Sequence, residues 1–125
     1  MITQHVAVGL IWRGEELLVG WNNKLQRCSF PMGKQEGTEP IGITLIRELQ
    51  EELNITPKVF NLIEVYNFLI DGKNIIAHLH LVKRYQGELR NNEPHKCEWL
   101  EWLTIPELKQ RTDLDIILTK WLDSK

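Results

Sequence analysis

The stretch that decides the fold reads Gly33-Lys34-Gln35-Glu36-Gly37-Thr38-Glu39-Pro40-Ile41-Gly42-Ile43-Thr44-Leu45-Ile46-Arg47-Glu48-Leu49-Gln50-Glu51-Glu52-Leu53-Asn54-Ile55. Thr38 is a good helix cap and Pro40 is tolerated in a first turn, so a helix is expected from there to about Leu53. Asn54 suits the left-handed position after a helix, and Pro57 blocks a restart. Ile46, Leu49 and Leu53 fall at i, i+3 and i+7 and make an apolar stripe. Glu48, Glu51 and Glu52 fall at i, i+3 and i+4, so their side chains share another face. Arg47 reaches Glu51 at i+4 and offsets part of the repulsion. Five of the chain's 13 glutamates lie in this segment. A solvated acidic face is the commoner origin of such a run; three carboxylates on one turn also suit a hard divalent cation, which takes oxygen ligands. The preceding Phe30-Pro31-Met32-Gly33-Lys34 favours the second reading. Gly33 lets backbone approach a ligand and offers its carbonyl, and Lys34 brings a point charge suited to phosphate. Together they point to a metal-bridged polyphosphate.

Upstream, His5 to Trp12 and Glu16 to Gly20 are apolar, β-rich runs around a turn at Arg13-Gly14-Glu15. Trp21 to Met32 is polar and reads as irregular. Downstream, Val59 to Leu69 and Ile75 to Val82 read as strands around a hairpin signal, Asp71-Gly72-Lys73-Asn74. A polar loop, Gln86 to Lys96, precedes the aromatic strand Glu98 to Trp102. Pro106 opens a short turn or helix. Leu114, Ile117, Leu118, Trp121 and Leu122 recur at helical spacing and predict a closing amphipathic helix. The order β-β-α-β-β-β-α predicts an α/β fold, a mixed sheet flanked by helices.

A length of 125 residues supports one domain, 1–125. A net charge of -2 gives no pull toward a nucleic acid polymer or an anionic membrane. No apolar stretch is long enough to span a bilayer. Cys28 and Cys97 belong to no CxxC and read as reduced thiols. Met1-Ile2-Thr3-Gln4-His5 lacks the start of a signal peptide, so a cytoplasmic protein is expected.

The glutamate helix also carries a recognisable pattern: Gly-x5-Glu-x7-Arg-Glu-U-x-Glu-Glu-x-Gly-U, with U apolar. Gly33, Glu39, Arg47, Glu48, Leu49, Glu51, Glu52 and Ile55 occupy its positions, and the segment resembles the Nudix box. Asn54 stands where the family usually has glycine, and Met32 replaces the first glycine of the usual Pro-Gly-Gly-Lys. The runs HVAVGLIW, ELLVG, LVKRYQGEL and CEWLEWLTIPEL are similar to the MutT-type branch, so the likeness covers nearly the whole chain. It implies an α/β/α sandwich. It implies Mg2+-dependent hydrolysis, with Mn2+ as a substitute, of a nucleoside triphosphate to monophosphate and pyrophosphate. An oxidised purine triphosphate such as 8-oxo-dGTP is the leading substrate, with CTP or dCTP as the alternative. A non-catalytic Nudix-like nucleotide sensor is the alternative of another class. The partner is then a small nucleotide, and the chain a monomer or homodimer.

Roles follow from the same resemblance. Glu48 and Glu52 are expected to bind metal, with Glu51 as ligand or water-holder and the Gly33 carbonyl alongside. Arg47 is expected to orient the carboxylates, Glu39 to support the helix start, and Lys34 to contact phosphate. Glu98 matches a position that supplies a further carboxylate, as ligand or general base; otherwise it is a surface strand residue. Whether Glu98 or Glu51 takes the proton stays open. Asp113 and Asp115 are candidate base readers, or else helix caps. Asn22 and Asn23 line the same pocket or form a turn. His78 and His80 share one strand face, as a pocket wall or a weak metal motif.

Overall fold

The computed structural model describes all residues, 1–125. The strands are β1 (Ile2–Arg13), β2 (Glu16–Asn22), β3 (Arg27–Ser29), β4 (Met32–Lys34), β5 (Thr56–Ile70), β6 (Lys73–Gln86) and β7 (Cys97–Thr104). The helices are α1 (Ile41–Leu53), α2 (Ile105–Lys109) and α3 (Ile116–Asp123).

β1 is the central strand because it is apolar on both faces. Val6, Val8 and Leu10 alternate with Ala7 and Ile11, and all are buried. Such a strand needs cover on each side. The first set packs with Leu17, Val19, Leu118 and Trp121 beneath α2 and α3. The second packs with Leu45, Leu49 and Leu53 of α1. β1 runs parallel to β6 and antiparallel to β2 and β4, so the sheet is mixed. The strand order is β3-β2-β1-β6-β5, with β4 also on β1 and β7 on β2. The mixed sheet with flanking helices is the expected architecture, and no helix is long and apolar enough to cross a membrane.

The details differ from the sequence reading in four places. The buried stripe of α1 is Leu45, Leu49 and Leu53, while Ile46 is half-buried. Gly9 of β1 explains this: the methyls of Leu45 and Leu49 stand 3.5 Å from where a side chain would begin. Thr38 does not cap α1. Pro40 is the N-cap, with no side-chain hydrogen bond. The entry is held instead by the Glu39 carboxylate, which accepts from the Glu36 amide at 3.0 Å and the Thr44 hydroxyl at 2.8 Å. The segment read as irregular carries β3 and β4: β3 returns on β2, β4 pairs with β1, and Cys28 bridges to the region of Leu114. Cys28 donates to the Asp113 carbonyl and accepts from the Asp115 amide. Leu114 lies outside α3, whose N-cap is Asp115.

The turns agree with the chemistry of their residues. Asn54 ends α1 with φ 62°, and its amide donates to the Glu88 carbonyl at 3.0 Å. Gly87, at φ +105°, passes so near that a Cβ would lie 2.6 Å from the Asn54 carbonyl oxygen. Asp71 and Gly72 both take positive φ and close the β5–β6 hairpin in two residues, so Lys73 and Asn74 already belong to β6.

Candidate active site

The site forms where the end of β4, the last turns of α1 and the loop before β7 meet. Arg47 is its hub. Its guanidinium donates to Glu39 at 2.7 Å, Glu48 at 2.8 Å and the Lys34 carbonyl at 2.9 Å. Glu51 is a looser partner at 3.4 Å. The main role of Arg47 is therefore to clamp the helix start and the β4 strand to Glu48, with the i+4 contact secondary. The Arg47 hydrogen bond, with those from the Glu36 amide and Thr44, holds the Glu39 carboxyl down at about 2. Gly33 faces Glu48 so closely that any side chain there would overlap its carboxyl group.

Behind this clamp the carboxylates turn inward. Glu52 Oε2 and Glu93 Oε1 are buried without any hydrogen-bond partner. Burial is the first cause, the neighbouring Glu48 the second and Glu93 a further one, that push the Glu52 carboxyl up to about 9. Burial also raises Glu48, against the opposing pull of Arg47. A ligand-free site thus keeps Glu52 protonated at neutral pH. Two buried carboxyl oxygens without a partner are costly unless a cation satisfies them. Oxygen donors of this kind suit Mg2+ or Mn2+. The free arrangement is not a finished cage, for no three acids converge on one point.

These acids form part of the wall of a cavity of about 970 Å³. Its apolar wall includes Val6, Met32, Phe68, Ile75 and Ile117, and Asp115 joins that wall. Lys24, Lys34 and Lys73 also line it. The close approach of the Lys24 ammonium, then burial and Lys73, hold the Lys34 ammonium below its usual range.

The sequence matches the NUDIX domain family over residues 3–124. The chain belongs to that family. It is 38% identical over 78 residues to the 8-oxo-dGTP diphosphatase of Escherichia coli, a match that covers 62% of this chain and 58% of that protein. The chain thus aligns with a little over half the length of this curated relative. Its fold superposes on the MutT NUDIX hydrolase of Burkholderia pseudomallei with a TM-score of 0.88, at 23% identity and 98% coverage of both chains. The ORF135 protein of E. coli gives a TM-score of 0.84 at 26% identity, covering 98% of this chain and 88% of that one.

Within this Nudix domain the structure sorts the expected site residues. Gly33, Lys34, Glu48, Glu52, Asn22, Asn23 and Asp115 all line the cavity. Glu51 does not: it is exposed, one position around the helix from Glu52. Glu98 does not either: it stays exposed and outside the cavity wall, in a stretch where the β2–β7 register shifts. Besides Glu48, the acid whose charge acts on Glu52 in the cavity wall is Glu93, from a loop that reads only as polar in the sequence. Asn92 donates from its amide to the Glu52 carbonyl at 2.9 Å and from its side chain to the Glu51 carbonyl at 3.2 Å. Asn91 donates to the Cys97 carbonyl at 2.7 Å, and Asn23 to the His95 carbonyl at 2.9 Å. These bonds strap the loop to α1, to β7 and to the turn after β2, and deliver Glu93.

Asp113 is drawn away from the cavity by Arg111, which grips both its oxygens at 2.9 and 2.7 Å. Asp115 is 5% exposed and caps α3 through a 2.9 Å bond to the Leu118 amide. Capping and cavity lining thus fall on the same aspartate, and burial pushes its carboxyl up to about 6. Asn22 also serves its turn, accepting from the Leu25 amide at 3.0 Å. His78 does not line the cavity; its ring lies against His5. His80 is buried beside Phe60.

Proposed function

We propose that this Nudix domain, residues 1–125 acting as one unit in the cytoplasm, is a Mg2+-dependent nucleoside triphosphate pyrophosphohydrolase. It releases nucleoside monophosphate and pyrophosphate. The carrying observation is the pair of buried, unpartnered oxygens on Glu52 and Glu93 in the wall of a cavity large enough for a nucleotide. Glu48, Glu52, Glu93 and the Gly33 carbonyl would hold the divalent ion, with Mn2+ able to replace Mg2+. Bound there, it would neutralise phosphate charge and acidify a water molecule.

The chain's own residues do the rest. Arg47 keeps Glu48 turned toward the site by a 2.8 Å charge-assisted bond. Lys34, Lys24 and Lys73 hold phosphate oxygens, since like charges brought together are relieved by an anion. Glu93 receives the proton of the attacking water; Glu51 and Glu98, both exposed outside the cavity wall, do not. The apolar wall around Phe68, Ile75 and Ile117 takes the base and excludes water. Asp115 has one oxygen committed to the cap and presents the other to the base as an acceptor. That suits N–H groups on a guanine-type edge, and the likeness to the E. coli 8-oxo-dGTP diphosphatase supports 8-oxo-dGTP as the substrate. The amino group of cytosine satisfies the same acceptor, so CTP or dCTP is the second reading. A sensor would have no use for an intact acid set.

The deciding experiment is a panel of normal and oxidised triphosphates with Mg2+, scored by kcat/KM, with pyrophosphate and phosphate measured separately. Pyrophosphate release, highest on 8-oxo-dGTP, is expected. Binding without turnover across the panel would leave only the sensor.

A further inference from the structure

Away from the cavity, the sheet carries an imidazole pair that the proposed reaction does not use. Ala7 of β1 is the register partner of His78 on β6, so His5 and His78 are diagonal neighbours on parallel strands, with side chains on one face. The Nδ1 of His5 and the Nε2 of His78 are 2.9 Å apart. Their rings stand 5.2 Å apart at 31°. Neither ring meets a carboxylate or a carbonyl, and both are half-buried. His80, next on the same face, differs: its Nδ1 faces the Val8 carbonyl at 3.4 Å and it is fully buried.

A bond between two neutral imidazoles joins one N–H to one lone pair. When the donor ring changes tautomer and carries that proton on its other nitrogen, both rings stay neutral and two lone pairs face the gap. Burial, then the charges of His5 and His80, hold His78 below its ordinary pKa, which favours the neutral ring. Two imidazole nitrogens bound to one tetrahedral ion at about 2.0–2.1 Å lie about 3.3 Å apart. The observed gap needs to open by only a few tenths of an ångström.

We propose that His5 and His78 form a two-histidine seat for a transition-metal cation of the Zn2+, Ni2+ or Cu2+ class, separate from the acidic cavity. Imidazole suits these ions, whereas Mg2+ demands oxygen, so the two sites select by donor type. No third histidine, cysteine or carboxylate joins the pair, and water completes the coordination. The seat also touches the hydrolytic site's frame. The His5 carbonyl accepts from the Gln35 amide at 2.9 Å, and the Gln35 side chain donates to the Glu39 carbonyl at 2.8 Å.

The test is calorimetric titration of tag-free protein with Ni2+ and Zn2+ at pH 7.5, in saturating Mg2+. Wild type and Glu52→Gln each bind one such ion with the same affinity, while His5→Ala and His78→Ala each weaken it at least tenfold. In parallel, the ring resonances of His5 and His78 shift in the wild-type NMR spectrum as Zn2+ is added. This measurement decides the matter even where a variant folds poorly. Equal affinity in the histidine variants, displacement of the ion by Mg2+, or unmoved ring resonances at saturation would overturn the proposal.

Discussion

Replacing Glu52 by glutamine should make the ligand-free protein more resistant to alkali while abolishing its use of magnesium. The carboxyl of Glu52 is pushed from an ordinary 4.5 up to about 9 by burial, by Glu48 and by Glu93. Between those values the folded chain holds a proton that the unfolded chain has lost, so stability falls as pH rises. One group in this state costs up to about 1.4 kcal/mol per pH unit. The window from pH 6.5 to 8.5 lies above Asp115, at about 6, and below the span from 9.0 to about 12 in which Cys28 contributes; subtracting the variant's curve removes what the other groups add. Across that window the wild type should lose up to about 3 kcal/mol, or roughly 10 °C in Tm for a domain of this size. Glu52→Gln removes the titrating group and should give a nearly flat curve. Mg2+ should rescue wild type most at high pH, by about 2.7 kcal/mol at a hundredfold excess over Kd, and leave the variant unmoved. Thermal melts in chelator and in Mg2+, at five pH values, measure all of this. Identical pH slopes for wild type and variant in chelator would refute the assignment of a buried proton to Glu52.

Three further outcomes follow from the site. Glu93→Gln should lower kcat/KM for the best triphosphate by at least about a hundredfold, while Glu98→Gln stays within about threefold of wild type. Steady-state kinetics on the two purified variants separates the roles. Arg47→Lys keeps the charge but loses the fork that joins Glu39, Glu48 and Lys34, and should cost about 10–100-fold in activity or Mg2+ affinity with an unchanged circular dichroism spectrum. Asp115→Ala should cost about 1 kcal/mol through the lost cap, whereas Asp115→Asn keeps the cap. Denaturant midpoints check that difference, and Asp115→Asn should also change the preference between 8-oxo-dGTP and dCTP in competition assays.

The layer arrangement was legible because it rests on local patterns. The two-faced apolarity of β1, the Asp71-Gly72 turn and the left-handed Asn54 each follow from residues adjacent in sequence. The facing of α1 was less legible, since Gly9 on another strand decides that Leu45 rather than Ile46 packs inward. β3 and β4 are three-residue strands without a hydrophobic period; β3 closes a hairpin on β2 and is braced by Leu114, while β4 pairs with the distant β1. The candidate site follows the same division. Glu48 and Glu52 are visible as one helical face, yet only the structure turns Glu51 outward and ties Arg47 chiefly to Glu39 and Glu48. Glu98 stands out in the sequence because it matches a family position that supplies a carboxylate, but the shifted β2–β7 register leaves it exposed outside the cavity. Glu93 sits in an irregular loop whose shape is set by asparagine bonds to α1 and to the turn after β2, which sequence spacing does not encode.

The central claim is that Glu48, Glu52 and Glu93 exist to hold divalent ions against a triphosphate. Crystals soaked with Mn2+ and a non-hydrolysable triphosphate, with diffraction recorded at the manganese edge, test it most directly. The account predicts anomalous density between these three carboxylates and the Gly33 carbonyl, bridged to phosphate oxygens. Manganese bound elsewhere, with the carboxyls of Glu52 and Glu93 left unligated, would contradict it.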